Sequence, residues 1–197
     1  MKMDGDYPDE MILATIKKYE IELEHEKPLE YQIRIQNKTV NLSDRRIYKD
    51  ISIRLPKYFY VKTGDETTSG YLIKHHPEII FISGCGTVNF TFDRIEREDS
   101  QQIRKEIIDL MRQRYPQNMI YDLGKGKLKE QEQEFYWFDY KSFAIDSDIY
   151  NLLFIFPYYD KTVIGTFKCA FRNYADWKHY VLKMIATIEY KAKGDSY

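Results

Sequence analysis

Phe135-Tyr-Trp-Phe-Asp-Tyr140, Ile149-Tyr-Asn-Leu-Leu-Phe-Ile-Phe156 and Thr162-Val-Ile-Gly-Thr-Phe-Lys-Cys169 are three consecutive runs rich in aromatic and β-branched residues, which predicts three strands. They hand over to Asn173 to about Tyr190, where Trp177, Tyr180, Val181, Met184, Ile185 and Ile188 recur at three- and four-residue steps. Lys178, Lys183, Glu189 and Lys191 fall on the other side, so the spacing predicts an amphipathic helix lying on the sheet. The Ile149–Phe156 run is apolar at almost every position, as a central strand covered on both faces requires. The expected fold class is therefore α+β: an antiparallel sheet sandwiched between helices, an α/β/α arrangement.

Outward from this core, Glu78–Ser83 and Val88–Asp93 form a β-hairpin pattern around Gly84-Cys-Gly-Thr87, whose glycines suit a tight turn. Asp99-Ser-Gln-Gln102 is a helix cap, and Ile103, Ile107, Leu110 and Met111 mark a stripe running to about Arg114, ended near Pro116. A short strand is expected at Met119–Tyr121, followed by a charged, glycine-containing connection from Leu123 to Glu134. Earlier, Tyr31–Gln36 and Ile51–Leu55 alternate as half-exposed strands, with Tyr31, Ile33 and Ile35 on one face and Pro56 closing the second run. Asn37-Lys38 and Ser43–Arg46 resemble turns, and Thr63–Gly70, which has no apolar residue, a loop or hairpin tip. Tyr7-Pro8-Asp9-Glu10 opens a helix pattern to about residue 18; Tyr19–Glu24 alternates, leaving residues 19–26 open between helix and strand.

With 197 residues the chain has room for one sizeable domain, taken as residues 1–197 with a flexible leader at 1–6. The 43% hydrophobic and 31% charged composition excludes general disorder, and a net charge of −1 supplies no field to steer the chain toward nucleic acid or an anionic membrane. No run approaches the ~20 apolar residues of a membrane span, and the start has no signal-peptide core, so a cytoplasmic location is expected. Cys85 and Cys169 are then two reduced thiols rather than a disulfide framework.

No motif points firmly to catalysis. Cys85 has no local base other than the more distant His75-His76, whose adjacent side chains point apart in an extended segment and have no metal-ligand partner spacing. His25 and His179 add no spacing. Gly124-Lys-Gly-Lys127 lacks the longer glycine framework of a phosphate loop and reads as a flexible connection. Asp139, Asp146, Asp148 and Asp160 are placed as turn formers near strand ends. No catalytic residue, metal site or cofactor is expected. The 16% aromatic content, with 18 tyrosines, points instead to recognition. Tyr158 and Tyr159 follow Pro157 at the tip between the two most apolar strands and, with Trp137 or Tyr140 nearby, are the expected aromatic binding patch. On that reading, replacing Tyr158 and Tyr159 by Ala leaves folding intact.

The order of elements resembles the PsbP-like and Mog family of α/β/α sandwiches. The residues that carry the likeness are Ile51-Ser-Ile-Arg-Leu-Pro56, similar to an early strand ending in Pro, and Gly165-Thr-Phe-Lys-Cys169 leading through Asn173 and Trp177 to Ile188, similar to the last strand and packed helix. It covers roughly residues 47 to 190. Family members are mostly non-enzymatic accessory proteins, a photosystem subunit and a binder of the Ran GTPase among them, so the resemblance implies a binding role without a named partner. The expected function is a cytoplasmic, bacterial accessory or adaptor domain acting by protein–protein contact, with no nucleic-acid or membrane partner. Two alternatives stand beside it: an immunity-type inhibitor of a cognate enzyme, using the acidic run Glu20, Glu22, Glu24 and Glu26, and a small-ligand protein or enzyme with a pocket near Cys85.

Overall fold

The computed structural model describes residues 28–62, 77–129 and 133–190. The leader, the helix pattern up to residue 18, the open segment 19–26, His25, His75, His76 and the Thr63–Gly70 loop lie outside the described residues.

The strands are β1 (Gln32–Ile35), β2 (Lys38–Arg46), β3 (Ile51–Pro56), β4 (Tyr60–Lys62), β5 (Ile79–Ile82) and β6 (Asn89–Ile95), then β7 (Met119–Lys127), β8 (Glu134–Phe143), β9 (Asp148–Tyr158), β10 (Lys161–Ala170) and β11 (Glu189–Tyr190). Helix α1 (Ser100–Arg114) precedes β7 and α2 (Tyr174–Ala186) precedes β11. They form a seven-stranded antiparallel sheet in the order β4-β5-β6-β10-β9-β8-β7 and a four-stranded sheet β1-β2-β3-β11. The Ile149–Phe156 run is indeed interior: β9 pairs with β10 on one side and β8 on the other, and Leu152, Phe154, Ile155 and Phe156 are fully buried.

Strand alternation assigns the faces of the large sheet. Phe138, Leu153 and Ile155 point to one side, where Ile103, Ile108 and Met111 of α1 cover them. Asp99 caps α1 as expected, its carboxylate accepting the Gln102 N–H at 2.9 Å. The stripe differs in one place: Ile108 is buried and Leu110 is exposed, because the inward face is centred on Ile103, Ile107 and Met111 with Ile108 on its inner flank. The opposite face carries Phe90, Phe92, Phe154, Phe156 and Phe167, and packs on Trp177, Val181, Met184 and Ile185 of α2 together with Ile51, Ile53 and Leu55 of β3.

This second layer corrects the expected helix sandwich. The protein is a sheet-rich α+β fold whose large sheet has α1 on one face and a mixed layer, α2 plus the small sheet, on the other. The reason is dimensional. A helix of 13 residues is ~20 Å long, while seven strands spaced ~4.8 Å apart span ~29 Å, so α2 alone leaves apolar surface for β1–β3 to cover.

Three boundaries differ from the sequence expectation. The C-terminal helix stops at Ala186: Thr187 donates its hydroxyl to the Met184 carbonyl at 2.6 Å and accepts the Arg54 N–H at 2.9 Å, and Glu189–Tyr190 then joins the small sheet beside Ser52 and Ile51. Ser43–Arg46 is strand rather than turn; its polar side chains bind across the ladder, Asp44 accepting from Arg54 at 3.0 Å and from the Tyr31 hydroxyl at 2.9 Å. The turn between β1 and β2 is Gln36-Asn37, both at positive φ, the geometry of a two-residue hairpin.

The largest difference is β7, where a short strand and a connection were expected. Gly124 and Gly126 lie inside the strand because the rings of Trp137 and Phe135 on β8 occupy the space above them; a Cβ at Gly124 would sit 2.8 Å from the indole. Glycine there is a packing requirement of the neighbouring strand, as in other cross-strand glycine–aromatic pairs.

Candidate functional site

The expected patch of Tyr158, Tyr159, Trp137 and Tyr140 does not form one surface. Trp137 is buried on the α2 side of the sheet, whereas Tyr140 packs with the α1 cluster, where burial pushes its hydroxyl up to about 12. Tyr158 is only 9% exposed. The β9–β10 turn is short enough to fold both tyrosines back: Tyr159 sits at φ 54°, and Tyr158 and Tyr159 donate to the two oxygens of Asp50 at 2.5 and 3.0 Å. Tyr190 meets both rings edge-on. Burial works against ionisation of Asp50, but the two phenol hydrogen bonds outweigh it and hold the carboxyl below the usual range. Alanine at Tyr158 therefore removes a buried ring, contrary to the expectation of an intact fold.

Cys85 lies exposed on the β5–β6 turn, with its thiol 3.4 Å from Ser83 Oγ and 3.0 Å from Thr87 Oγ1. These hydrogen bonds lower the thiol to about 7. Among the described residues no base stands beside it and no group of three or more metal-ligating side chains forms. Cys169 is buried against Tyr150, and burial pushes its thiol up to about 12.

A buried ionic network ties α2 to the large sheet. Asp139, 1% exposed, accepts from Lys178 Nζ at 2.8 Å, from the Tyr150 hydroxyl at 2.9 Å and from the Asp122 N–H at 2.8 Å. Lys178 also reaches Asp122 at 3.1 Å and lies over the Trp137 ring. Burial pulls the lysine pKa down, yet the Asp139 and Asp122 carboxylates outweigh it and the net shift is upward. Tyr150 is driven far above the usual phenol range by burial and by the Asp139 charge. Each group is saturated by the others, so the network locks packing rather than offering a reactive atom.

Unsatisfied apolar surface lies at the other end of the strands. Phe143, at the end of β8, is 48% exposed, and Ile145 in the following turn is fully exposed. Met119 and Tyr121 at the start of β7 are each 51% exposed, and Tyr174 opens α2 at 40%. The Tyr121 ring lies 5.7 Å from Phe171, which stacks on Tyr174 at 5.0 Å. Lys141 joins the two halves, its Nζ 4.9 Å from the Phe143 ring, 4.7 Å from Phe171 and 2.6 Å from Asp148. The β7–β8 bulge between Ile120 and Asp122 turns Tyr121 toward this group. The result is an aromatic cluster around one held cation, with Tyr121, Phe143 and Tyr174 exposed and Phe171 half-buried beneath them.

The sequence reading placed the aromatic patch at the Tyr158 end of β9, whereas the exposed rings lie at the opposite end of the strand. The missed signal was Phe143 and Ile145, two apolar residues inside an otherwise polar turn, Lys141-Ser-Phe-Ala-Ile-Asp-Ser-Asp148. Tyr174, off the apolar stripe of its helix, was a second.

No protein-family model matches the chain, and no curated protein matches it in sequence. Among solved structures it is similar to cyanobacterial PsbP from Synechocystis sp. PCC 6803, with a TM-score of 0.57 at 10% identity over 76% of this chain and 92% of that one. It is also similar to a protein from Bacteroides thetaiotaomicron (TM-score 0.45, 14% identity, 75% of this chain and 47% of that one). A Pseudomonas aeruginosa protein of unknown function, described as a putative regulator, gives a TM-score of 0.44 at 7% identity over 77% and 99%. The PsbP likeness bears out the resemblance in fold; at 10% identity it carries the fold alone. Among the described residues no helix is long and apolar enough to cross a membrane.

Proposed function

We propose that this chain is a non-catalytic accessory or adaptor domain that acts by protein–protein contact, and that the contact is centred on Tyr121, Phe143, Phe171 and Tyr174 around Lys141. The observation that carries the reading is the clustering of the exposed Tyr121, Phe143 and Tyr174 around the half-buried Phe171 and the Lys141 ammonium at one end of the large sheet. Aromatic residues dominate interface energetics because they bury a large rigid area at small cost in side-chain entropy. The proposal keeps the cytoplasmic placement expected from the sequence, and a net charge of −1 supplies no overall field to draw the chain to nucleic acid.

The test is affinity capture from host extract with the wild-type chain and with Tyr121→Ser/Phe143→Ser, followed by reconstitution of the captured complex from purified components. Each of these side chains is about half exposed, so the variant should melt with the wild type. A defined complex that loses about tenfold or more in affinity with the variant supports the reading. A complex insensitive to both substitutions, or no complex at all, rejects it.

A further inference from the structure

We infer that the outer edge of β7 receives an extended segment of the partner protein as an eighth strand, and that this segment alternates acidic and apolar residues. This rests on the protein-contact reading above and specifies the partner's chemistry. β7 ends the seven-stranded order, and among the described residues no strand pairs with its outer side. It is nine residues long, and past the bulge between Ile120 and Asp122 residues 122–127 keep a regular ladder with β8, leaving their outer side for added main-chain pairing.

The two sides of this edge differ in a way that defines the occupant. On the α1 side, Leu123, Lys125 and Lys127 line up beside a groove with Ile108 in its wall and Arg104, Lys105 and Arg112 along it. Arg104 reaches the edge itself, donating to the Gly124 carbonyl at 2.8 Å with its guanidinium over Tyr136. The nearby carboxylates are already engaged: Asp99 caps α1, Asp109 faces Arg112 and Glu134 holds Lys125. The cationic excess remains on Arg104, Lys105 and Lys127. On the α2 side, Met119 and Tyr121 are half exposed and run into the aromatic surface.

A strand laid along β7 sends successive side chains to opposite faces. One set meets the cations and the other meets Met119, Tyr121 and the rings beyond. Charge complementarity therefore requires acidic residues on the first set, and burial requires apolar residues on the second. Lys125 and Lys127 on this edge discourage indiscriminate pairing and favour an acidic partner strand over neutral ones.

The test is fluorescence anisotropy of the full chain with a labelled nine-residue peptide of alternating Val and Glu. Saturable binding is expected. It should weaken about tenfold or more when Glu is replaced by Lys in the peptide, and likewise for Lys105→Glu/Lys127→Glu in the protein. N-methylation of alternate peptide amides, which removes main-chain donors without touching the protein, should weaken it as strongly when the methylated set faces β7. Absence of saturable binding, or equal binding of the lysine peptide or of both N-methylated sets, overturns the inference. If the probe fails while the Tyr121- and Phe143-dependent complex persists, the edge inference falls alone; if that complex is also absent, the contact reading falls with it.

Discussion

Replacing Lys178 by Met should destabilise the fold by about 2–3 kcal/mol at neutral pH. Lys178 is the cation nearest a carboxylate that is 1% exposed, at 2.8 Å. Breaking a fully buried pair from one side costs ~3–5 kcal/mol, because the remaining charge stays buried without its partner. The lower figure applies because the lysine side chain is 26% exposed, and because Asp139 keeps its hydrogen bonds from Tyr150 and the Asp122 N–H. For a chain of this size, the loss corresponds to about 5–10 °C in melting temperature. The assay is urea unfolding, read with Lys178→Met, Asp139→Asn and the double variant. Asn retains groups that can bond Tyr150 and the Asp122 N–H, so the double variant should recover much of the Lys178→Met loss.

The pH dependence gives a second check on that cycle. A raised lysine pKa stabilises the fold fully below the unfolded-state value of ~10.4, and the contribution is lost as pH rises through the higher folded value. A deficit below ~0.5 kcal/mol at pH 7, or a strictly additive double variant, would refute the view that Asp139 and Lys178 act as a buried pair.

Tyr158→Phe should lose ~1.5 kcal/mol through its bond to Asp50, and since that carboxyl is held low, the deficit should be present at neutral pH and fade as pH falls through the folded Asp50 pKa, below ~3.9; Tyr158→Ala should lose ~3 kcal/mol with the ring. Thermal melts from pH 3 to 7 check both. Alkylation of Cys85 by iodoacetamide in the folded protein should reach half its maximal rate near pH about 7, with Ser83→Ala moving the midpoint upward, while Cys169 stays unreacted until unfolding. A midpoint for the wild type at the ordinary thiol value of ~8.5 would contradict the hydrogen-bonded turn. Gly165→Ala should cost ~1–3 kcal/mol in urea midpoint, because the new methyl would overlap the Phe154 ring across the β9–β10 ladder. A neutral outcome would show that this ring has room to move.

What local sequence determined was the existence of elements whose partners are near in the chain or whose periodicity is long. The β5–β6 hairpin follows from glycines between alternating runs. The start of α1 follows from the Asp99 cap, and the interior place of β9 from unbroken apolar residues. Periodicity also identified the inward side of α2, since Trp177, Val181, Met184 and Ile185 all face the core.

Tertiary structure alone decided the rest, because the decisive neighbours are distant in sequence. Gly124 and Gly126 look like breakers until the Trp137 and Phe135 rings lie over them, and then they are what allows β7 to pair. Ser43–Arg46 is polar and turn-like until Arg54 and β3 lie alongside. Glu189–Tyr190 becomes strand only because Ser52 and Ile51, far back in the chain, present an open ladder. The candidate surface obeys the same rule. Tyr158 is withdrawn by Asp50, 108 residues away, whereas Tyr121, Phe143 and Tyr174 come from separate elements and gather around Phe171 and Lys141 only when the sheet is assembled. Exposure is a property of the assembled surface, so an aromatic residue's role in recognition cannot be read from its own neighbours in the chain.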